Sequence, residues 1–234
     1  IWRASGRNIC DRVVDMQLTA IHQIELTSRC NLQCSYCPHH KMVRVKQDMA
    51  WDVFIGTIEL AKYFNVLGTQ RELAFTGLGE PLLHPRFTEM VAYARQRLPD
   101  LPMNFSTNGI LITESLARHM TELNVKVFVS AHRPEYAGPA AKILKDHGVL
   151  ACVNSDFIDS PWDWAGQVAW PFTNAPRARC EYLAQGWGVV LVDGRITRCC
   201  MDVDGVGAIG SVGDEPAELE TGVFGLCAKC HLTI

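Results

Sequence analysis

One alternation limits what this chain can fold into more than any other feature. Short apolar runs are each broken by polar or glycine residues and then followed by a stretch with helical spacing. HQIEL (22–26) alternates in and out and ends at Thr27 and Ser28, and WDVFIGTIELAKYF (51–64) has helical spacing. ELAF (72–75) stops at TGLGEP, and RFTEMVAYARQRL (86–98) is helical, entered through Pro85. LPMNFS (101–106) ends in TNG, and TESLARHM (113–120) begins at Thr113, a residue suited to cap a helix. VKVFVS (125–130) is β-branched, EYAGPAAKILKDHG (135–148) is helical in its second part, and VLACVN (149–154) is another strand. Strand and helix in turn, about five times over, predict a parallel α/β sheet.

After Asn154 the rhythm breaks into a segment rich in Trp, Pro and small residues, with one expected strand at GQVAW. GWGVVLVDGRITRC (186–199) reads as two strands joined by an Asp-Gly turn. A domain boundary is expected near residue 170.

The unusual residues stand after the strands. Cys30, Cys34 and Cys37 follow the first, and Gly77, Gly79 and Glu80 the second. Ser106 and Asn108 end the third, Ser130 the fourth and Asn154 the fifth. Parallel α/β folds gather ligands at the carboxyl ends of their strands. Polar loops alone would account for Ser and Asn, but not for the cysteines.

Composition narrows the field. The 234 residues carry a net charge of −3, so nothing suggests a nucleic-acid groove. No apolar stretch approaches the ~20 residues of a membrane span, and the first residues have no apolar signal region; a cytoplasmic protein is expected. Ten cysteines in a chain this long are too sparse for a disulfide-built secreted scaffold and point to metal.

The metal question centres on ELTSRCNLQCSYCPHH (25–40), with three cysteines and no fourth nearby. Zinc sites use paired C-x₂₋₄-C ligands, so His39 and His40 would have to complete one. Three thiolates on a four-iron cluster would leave one iron open to a small molecule. The spacing C-x₃-C-x-aromatic-C, carried by Cys30, Cys34, Tyr36 and Cys37, resembles the radical S-adenosylmethionine enzymes. That resemblance implies a partial (β/α)6 TIM-like barrel over residues 1–170. It also implies a [4Fe–4S] cluster whose open iron binds S-adenosylmethionine, which is cleaved to a 5′-deoxyadenosyl radical. FTGLGEPLL then looks like the family's glycine-glutamate-proline motif: Gly77 and Gly79 would allow close backbone approach, and Glu80 would accept from the cofactor's amino group. By the same resemblance Ser106 and Asn108 meet its ribose or carboxylate, Ser130 adds a polar contact, and Tyr36 lies near the adenine.

A second group follows. Thirteen residues, Gly194 and four more separate Cys180 from Cys199, and Cys227 and Cys230 stand later as CAKC. Four thiolates there suit zinc on geometry alone. Arg179, Arg198 and Lys229 each precede one of these cysteines, and cationic neighbours favour thiolate. The spacing resembles the C-terminal SPASM/twitch extension of a radical S-adenosylmethionine subgroup. It implies a small β-hairpin iron–sulfur extension over residues 171–234 with one auxiliary [4Fe–4S] cluster, Cys200 competing with Cys199 as ligand. GVGAIG (205–210) matches G-x-G-x-x-G but lacks the strand and helix that a dinucleotide site needs.

A closed second cluster suggests net oxidation of a small molecule or peptide, with a reducing partner such as flavodoxin or ferredoxin. Epimerisation, with Cys152 or Cys200 returning a hydrogen atom, and a zinc-bound module without chemistry are the alternatives. Candidates for substrate contact or general base are His132, Arg133, Glu135 and Tyr136, just past one strand end, and Asp156 past the next.

Overall fold

The computed structural model describes residues 17–155, 164–168, 178–216, 219, 225–230 and 232–233. Cys10, Asp156 and the expected boundary near 170 lie outside them. Of the expected strand GQVAW, the described residues 166–168 form a turn and bend instead.

The expected alternation is present. It runs β1 (Ala20–Ile24), α1 (Trp51–Val66), β2 (Leu73–Phe75), α2 (Phe87–Arg97), β3 (Met103–Thr107), α3 (Glu114–Glu122), β4 (Val125–Ser130), α4 (Pro134–Asp146) and β5 (Leu150–Asn154). There follow β6 (Ala178–Arg179), α5 (Glu181–Gln185), β7 (Trp187–Val190), β8 (Arg195–Thr197), β9 (Ala208–Ser211) and β10 (Leu232–Thr233). Local chemistry sets the bounds. Thr113 Oγ1 accepts from Leu116 N, 3.2 Å, and starts α3. Helix α4 starts earlier than its spacing predicts, because Pro134 stands in its first turn, where a fixed φ helps and a missing N–H costs nothing.

The main sheet has the order β5-β4-β3-β2-β1-β7-β8-β9. Strands β1 to β5 each pair in parallel with the next. Each crossover steps one place in the same direction, so right-handed connections put the helices on one face. A sixth parallel strand, β7, joins at β1, Ala20 opposite Trp187. Strands β8 and β9 then extend the sheet antiparallel, turning at Asp193-Gly194, where Gly194 has φ +88°. Separately, β6 pairs with β10. The sheet is open, an α/β partial barrel.

Phe54, Ile58, Phe75, Met90, Leu98, Phe105 and Met120 are buried between sheet and helices in one continuous core. Truncating such a Phe to Ala costs about 3–5 kcal/mol. Gln23 in strand β1 and Glu25 just after it are buried polar residues in an otherwise apolar run. Both turn out to serve the rim.

Candidate active site

The loop after β1 is braced before it presents its cysteines. Ser28 N donates to Gln47 O (3.0 Å), and Gln47 N donates to Ser28 Oγ (2.9 Å). His39, buried, holds Ser28 O through Nε2 at 2.9 Å. Burial lowers its pKa, so the ring stays neutral and donates that bond. His39 is thus a brace of the loop, and His40 is exposed. Cys37 N donates to Cys34 O, 3.1 Å, and Leu32 N approaches Cys30 Sγ at 3.5 Å.

The three thiols line one cavity. Burial pushes Cys37 up to about 11, and Cys34 and Cys30 push the same way as like charges. Cys30 is raised by burial, with Cys34 again contributing. Cys30 and Cys37, so raised, hold their protons near neutral pH until a cation displaces them. A donor set of three thiols around one cavity fits an iron–sulfur group with an open position.

That cavity holds about 430 Å³. Cys30, Cys34, Cys37, Tyr36, Gly77, Gly79, Glu80, Ser106, Asn108 and Ser130 all lie on its wall, brought together from the ends of four strands. Of the substrate and base candidates, His132 lies on it too, its ring centroid 4.4 Å from that of Tyr36. Burial keeps His132 neutral by lowering its pKa. Arg133, Glu135 and Tyr136 are exposed in and before the first turn of α4 and do not line the cavity.

The glycine-glutamate loop is tight against the protein itself. A Cβ on Gly79 would stand 2.1 Å from Thr27 O and 2.6 Å from Arg29 O, and one on Gly77 would stand 2.4 Å from Glu25 Cγ. The close approach these glycines permit is therefore to β1 and the cysteine loop, whatever ligand lies on their other side. Glu80 N donates to Arg29 O at 2.8 Å. The Glu80 carboxylate accepts from Leu82 N (3.2 Å) and Thr107 Oγ1 (2.9 Å) on Oε1, and from Asn108 N (2.8 Å) on Oε2. A carboxylate has about four acceptor sites, so one remains on Oε2, which suits an ammonium group. Burial raises the Glu80 pKa to about 6 against the pull of these donors. Asn108 Nδ2 reaches Asn31 Oδ1, 2.7 Å, tying β3's end to the cysteine loop.

The second cysteine group surrounds a separate small cavity. Cys180, Cys199, Cys200, Cys227 and Cys230 line it, with Arg198 and Tyr182. Among the described residues no three Cys, His, Asp or Glu are gathered as the ligands of one metal ion would be. The thiols are spread around that cavity. Arg198 is 1% exposed there, and its Nε donates to Trp187 O, 3.2 Å. A buried guanidinium needs negative charge nearby, and Cys180 is the neighbour whose charge counters the burial of Arg198. Of the two bases with described side chains, Arg198 lies on its wall and Lys229 does not.

Sequence reasoning missed the wall between the two cavities. Tyr182, Cys200 and Met201 line both. Tyr182 Oη donates to Gln23 Oε1 at 2.6 Å, and Gln23 Nε2 donates to Thr76 O at 2.8 Å. Burial holds the Tyr182 phenol far above its usual range, so it stays a donor. Its signal in the sequence was slight: a Gln inside an apolar strand. Cys152 is exposed on β5 and outside both cavities.

A buried ion pair pins this assembly. Arg44 Nη1 and Nη2 meet Glu25 Oε2 and Oε1 at 2.6 and 2.7 Å, and Arg44 Nε donates to Val203 O at 2.6 Å. Leu78 N and Val192 N also donate to Glu25, each at 3.2 Å. One carboxylate therefore joins β1, the glycine loop, the segment after the cysteines and the C-terminal hairpin.

Comparison with known proteins agrees with this geometry. The Radical SAM superfamily profile matches residues 24–148. A tungsten-containing aldehyde ferredoxin oxidoreductase cofactor-modifying protein of Pyrococcus furiosus is 36% identical over 102 residues, 44% of this chain but 27% of that protein. An S-adenosyl-L-methionine-dependent 2-deoxy-scyllo-inosamine dehydrogenase of Niallia circulans is 24% identical over 212 residues, 85% of this chain and 80% of that one. The crystal structure of BtrN in complex with AdoMet and 2-DOIA superposes with a TM-score of 0.71 at 21% identity, over 86% of this chain and 81% of that one. This last likeness concerns the fold.

Proposed function

The chain belongs to the radical SAM superfamily, and from that premise we propose that it oxidises a small molecule or peptide by hydrogen abstraction, using one auxiliary [4Fe–4S] cluster. The family uses a [4Fe–4S] cluster with S-adenosylmethionine, which when bound supplies the 5′-deoxyadenosyl radical. In this reading Cys30, Cys34 and Cys37 hold that cluster. Glu80 takes the cofactor's amino group on its remaining acceptor site, Ser106, Asn108 and Ser130 meet its polar groups, and Tyr36 borders its adenine. Residues 171–234 act as the auxiliary-cluster domain, with Cys180, Cys199, Cys227 and Cys230 as ligands. His132, neutral and on the cavity wall, receives the substrate proton.

The observation that carries this reading is the shared wall. A site for radical chemistry and a second thiol-lined site meet at Tyr182, Cys200 and Met201. An electron left on a substrate in the first has a short path to the second. The similarity to a named dehydrogenase along 85% of the chain supports oxidation as the outcome. The electron that starts the reaction comes from a partner of the flavodoxin or ferredoxin class.

The test is an anaerobic count of iron and sulfide. The wild type is expected to hold roughly eight irons, falling to about four when Cys30, Cys34 and Cys37 are all replaced by Ala. Cleavage of S-adenosylmethionine by that variant would end the assignment. One observation favours a second outcome, epimerisation: Cys200 lies on the large cavity and is placed to return a hydrogen atom. Solvent deuterium in an unoxidised product would mark that outcome, and a product lighter by two hydrogens marks oxidation.

A further inference from the structure

Arginine is costly to bury and is rarely buried without a reason. Arg198 follows Thr197, the last residue of β8, and precedes Cys199. Its guanidinium is held in place, because Nε donates to the carbonyl of Trp187 at 3.2 Å. Trp187 opens β7, which pairs with β1, so the anchor belongs to the main sheet.

The surroundings leave its charge strong. Among the described residues, Arg198 is the one Lys, Arg, Asp or Glu on the wall of the second cysteine cavity. Beside Tyr182 and the cysteines, that wall is apolar, with Leu183, Met201 and Leu226. Asp202 is buried too, but it lies off the wall. Its carboxylate is taken up by Thr197 Oγ1 (2.8 Å), Val206 N (2.9 Å) and Gly207 N (2.8 Å). A guanidinium keeps its proton at any working pH. In apolar surroundings such a charge acts with little screening. Adding an electron to a group on this wall adds negative charge, and a fixed cation favours that reduced form. Net charge and burial are among the quantities that set an iron–sulfur potential.

We infer that Arg198 raises the reduction potential of the group held by Cys180, Cys199, Cys227 and Cys230, and so sets that group to accept an electron. The group is the auxiliary cluster of the functional reading above, on which this role depends. Arg198 acts through it and is a positioning residue. One electron moves: the substrate radical gives it up together with a proton and is oxidised, and the second group is reduced by one. The proton goes to His132, and no bond to Arg198 forms or breaks.

The experiment is an anaerobic redox titration of the iron-loaded protein, followed by electron paramagnetic resonance, on wild type, Arg198→Gln, Arg198→Met and Arg198→Lys. The second group's signal is identified in the variant with Cys30, Cys34 and Cys37 replaced by Ala, which holds that group alone. In the Gln and Met variants its potential is expected to fall by about 60 mV or more, a tenfold loss in the equilibrium for one electron. Arg198→Lys keeps the charge and is expected to recover at least half of that fall. Arg198 does not line the reaction cavity, so the potential of the first group stays at its wild-type value. The shift should also persist from about 50 to about 500 mM salt, since a buried charge is poorly screened. An unchanged second potential in the neutral variants, an equal fall in Arg198→Lys, an equal fall in both groups, or a shift abolished by salt would each overturn the inference. Loss of the second group's iron in both neutral variants would assign Arg198 to holding the group instead of tuning it, and would overturn it too. A wild type without a second group would end the functional reading first, and that result is separate from all of these.

Discussion

Replacing Arg44 by Met tests the pin that joins the two cysteine sites. The guanidinium makes two charge-assisted bonds to Glu25 and one to Val203 O, with both side chains at least nine-tenths buried. Met keeps the volume of the stem and removes all three donors. Glu25 is then a buried carboxylate with only Leu78 N and Val192 N as donors. Breaking one side of such a pair costs about 3–5 kcal/mol, mostly from the uncompensated charge. For a chain of this length that lowers Tm by roughly 10 °C. The double variant Arg44→Met/Glu25→Gln removes the orphaned charge as well, since a neutral amide needs no cation. It should therefore be more stable than Arg44→Met alone, and the cycle should show coupling of about 2 kcal/mol or more. The assay is anaerobic thermal unfolding of wild type, both single variants and the double variant, with iron content measured beside it. A loss below about 1 kcal/mol for Arg44→Met, or strictly additive single changes, would refute the reasoning. Either result would mean that the pair behaves like a surface ion pair.

Three further outcomes follow from the same geometry. Gly79→Ala drives a Cβ into the carbonyls of Thr27 and Arg29, backbone atoms that can retreat only by moving the cysteine loop. A loss of about 3 kcal/mol or more and a drop in bound iron are expected, and normal iron with an unchanged Tm would contradict that. Glu80 has a pKa raised to about 6, so the ligand-free fold binds its proton more tightly than the unfolded chain does. Its contribution to stability is therefore present at low pH and is lost as pH rises through about 6, by roughly 2 kcal/mol in all. Binding of S-adenosylmethionine runs the other way, weakening below pH about 6 as the carboxylate that would hold its ammonium is protonated. Glu80→Gln should flatten both profiles, read by unfolding and by equilibrium dialysis. Finally, Cys199 faces only the small cavity whereas Cys200 faces both. Cys199→Ala is expected to lose the second group's iron and Cys200→Ala to keep it; the reverse pattern would exchange their roles.

What the sequence made legible is what lies close together along the chain. The three cysteines fall within eight residues, the Asp-Gly turn within two, and each strand within one alternating run, so spacing alone exposes them. The parallel order of β1 to β5 follows from repetition, because each crossover repeats the last. Three features were not legible, and each depends on distant residues meeting. Strand β7 pairs with β1 although 162 residues separate Ile24 from Trp187, and nothing in either run names the other. Tyr182 and Gln23 meet across a similar separation. Arg44, in a sequence of loop type with valines on both sides, reads as an ordinary exposed base until Glu25 is seen beneath it. The glycine motif shows the limit from the other side. Its spacing identifies the loop, but which atoms crowd Gly77 and Gly79 depends on β1 passing behind them. The same dependence explains why the wall between the two cysteine sites escaped notice. A ligand motif is selected for the atom it binds and is therefore local. A path between two sites exists only where the fold brings them together, so Tyr182, Cys200 and Met201 acquire their meaning from the closure of β7 onto β1.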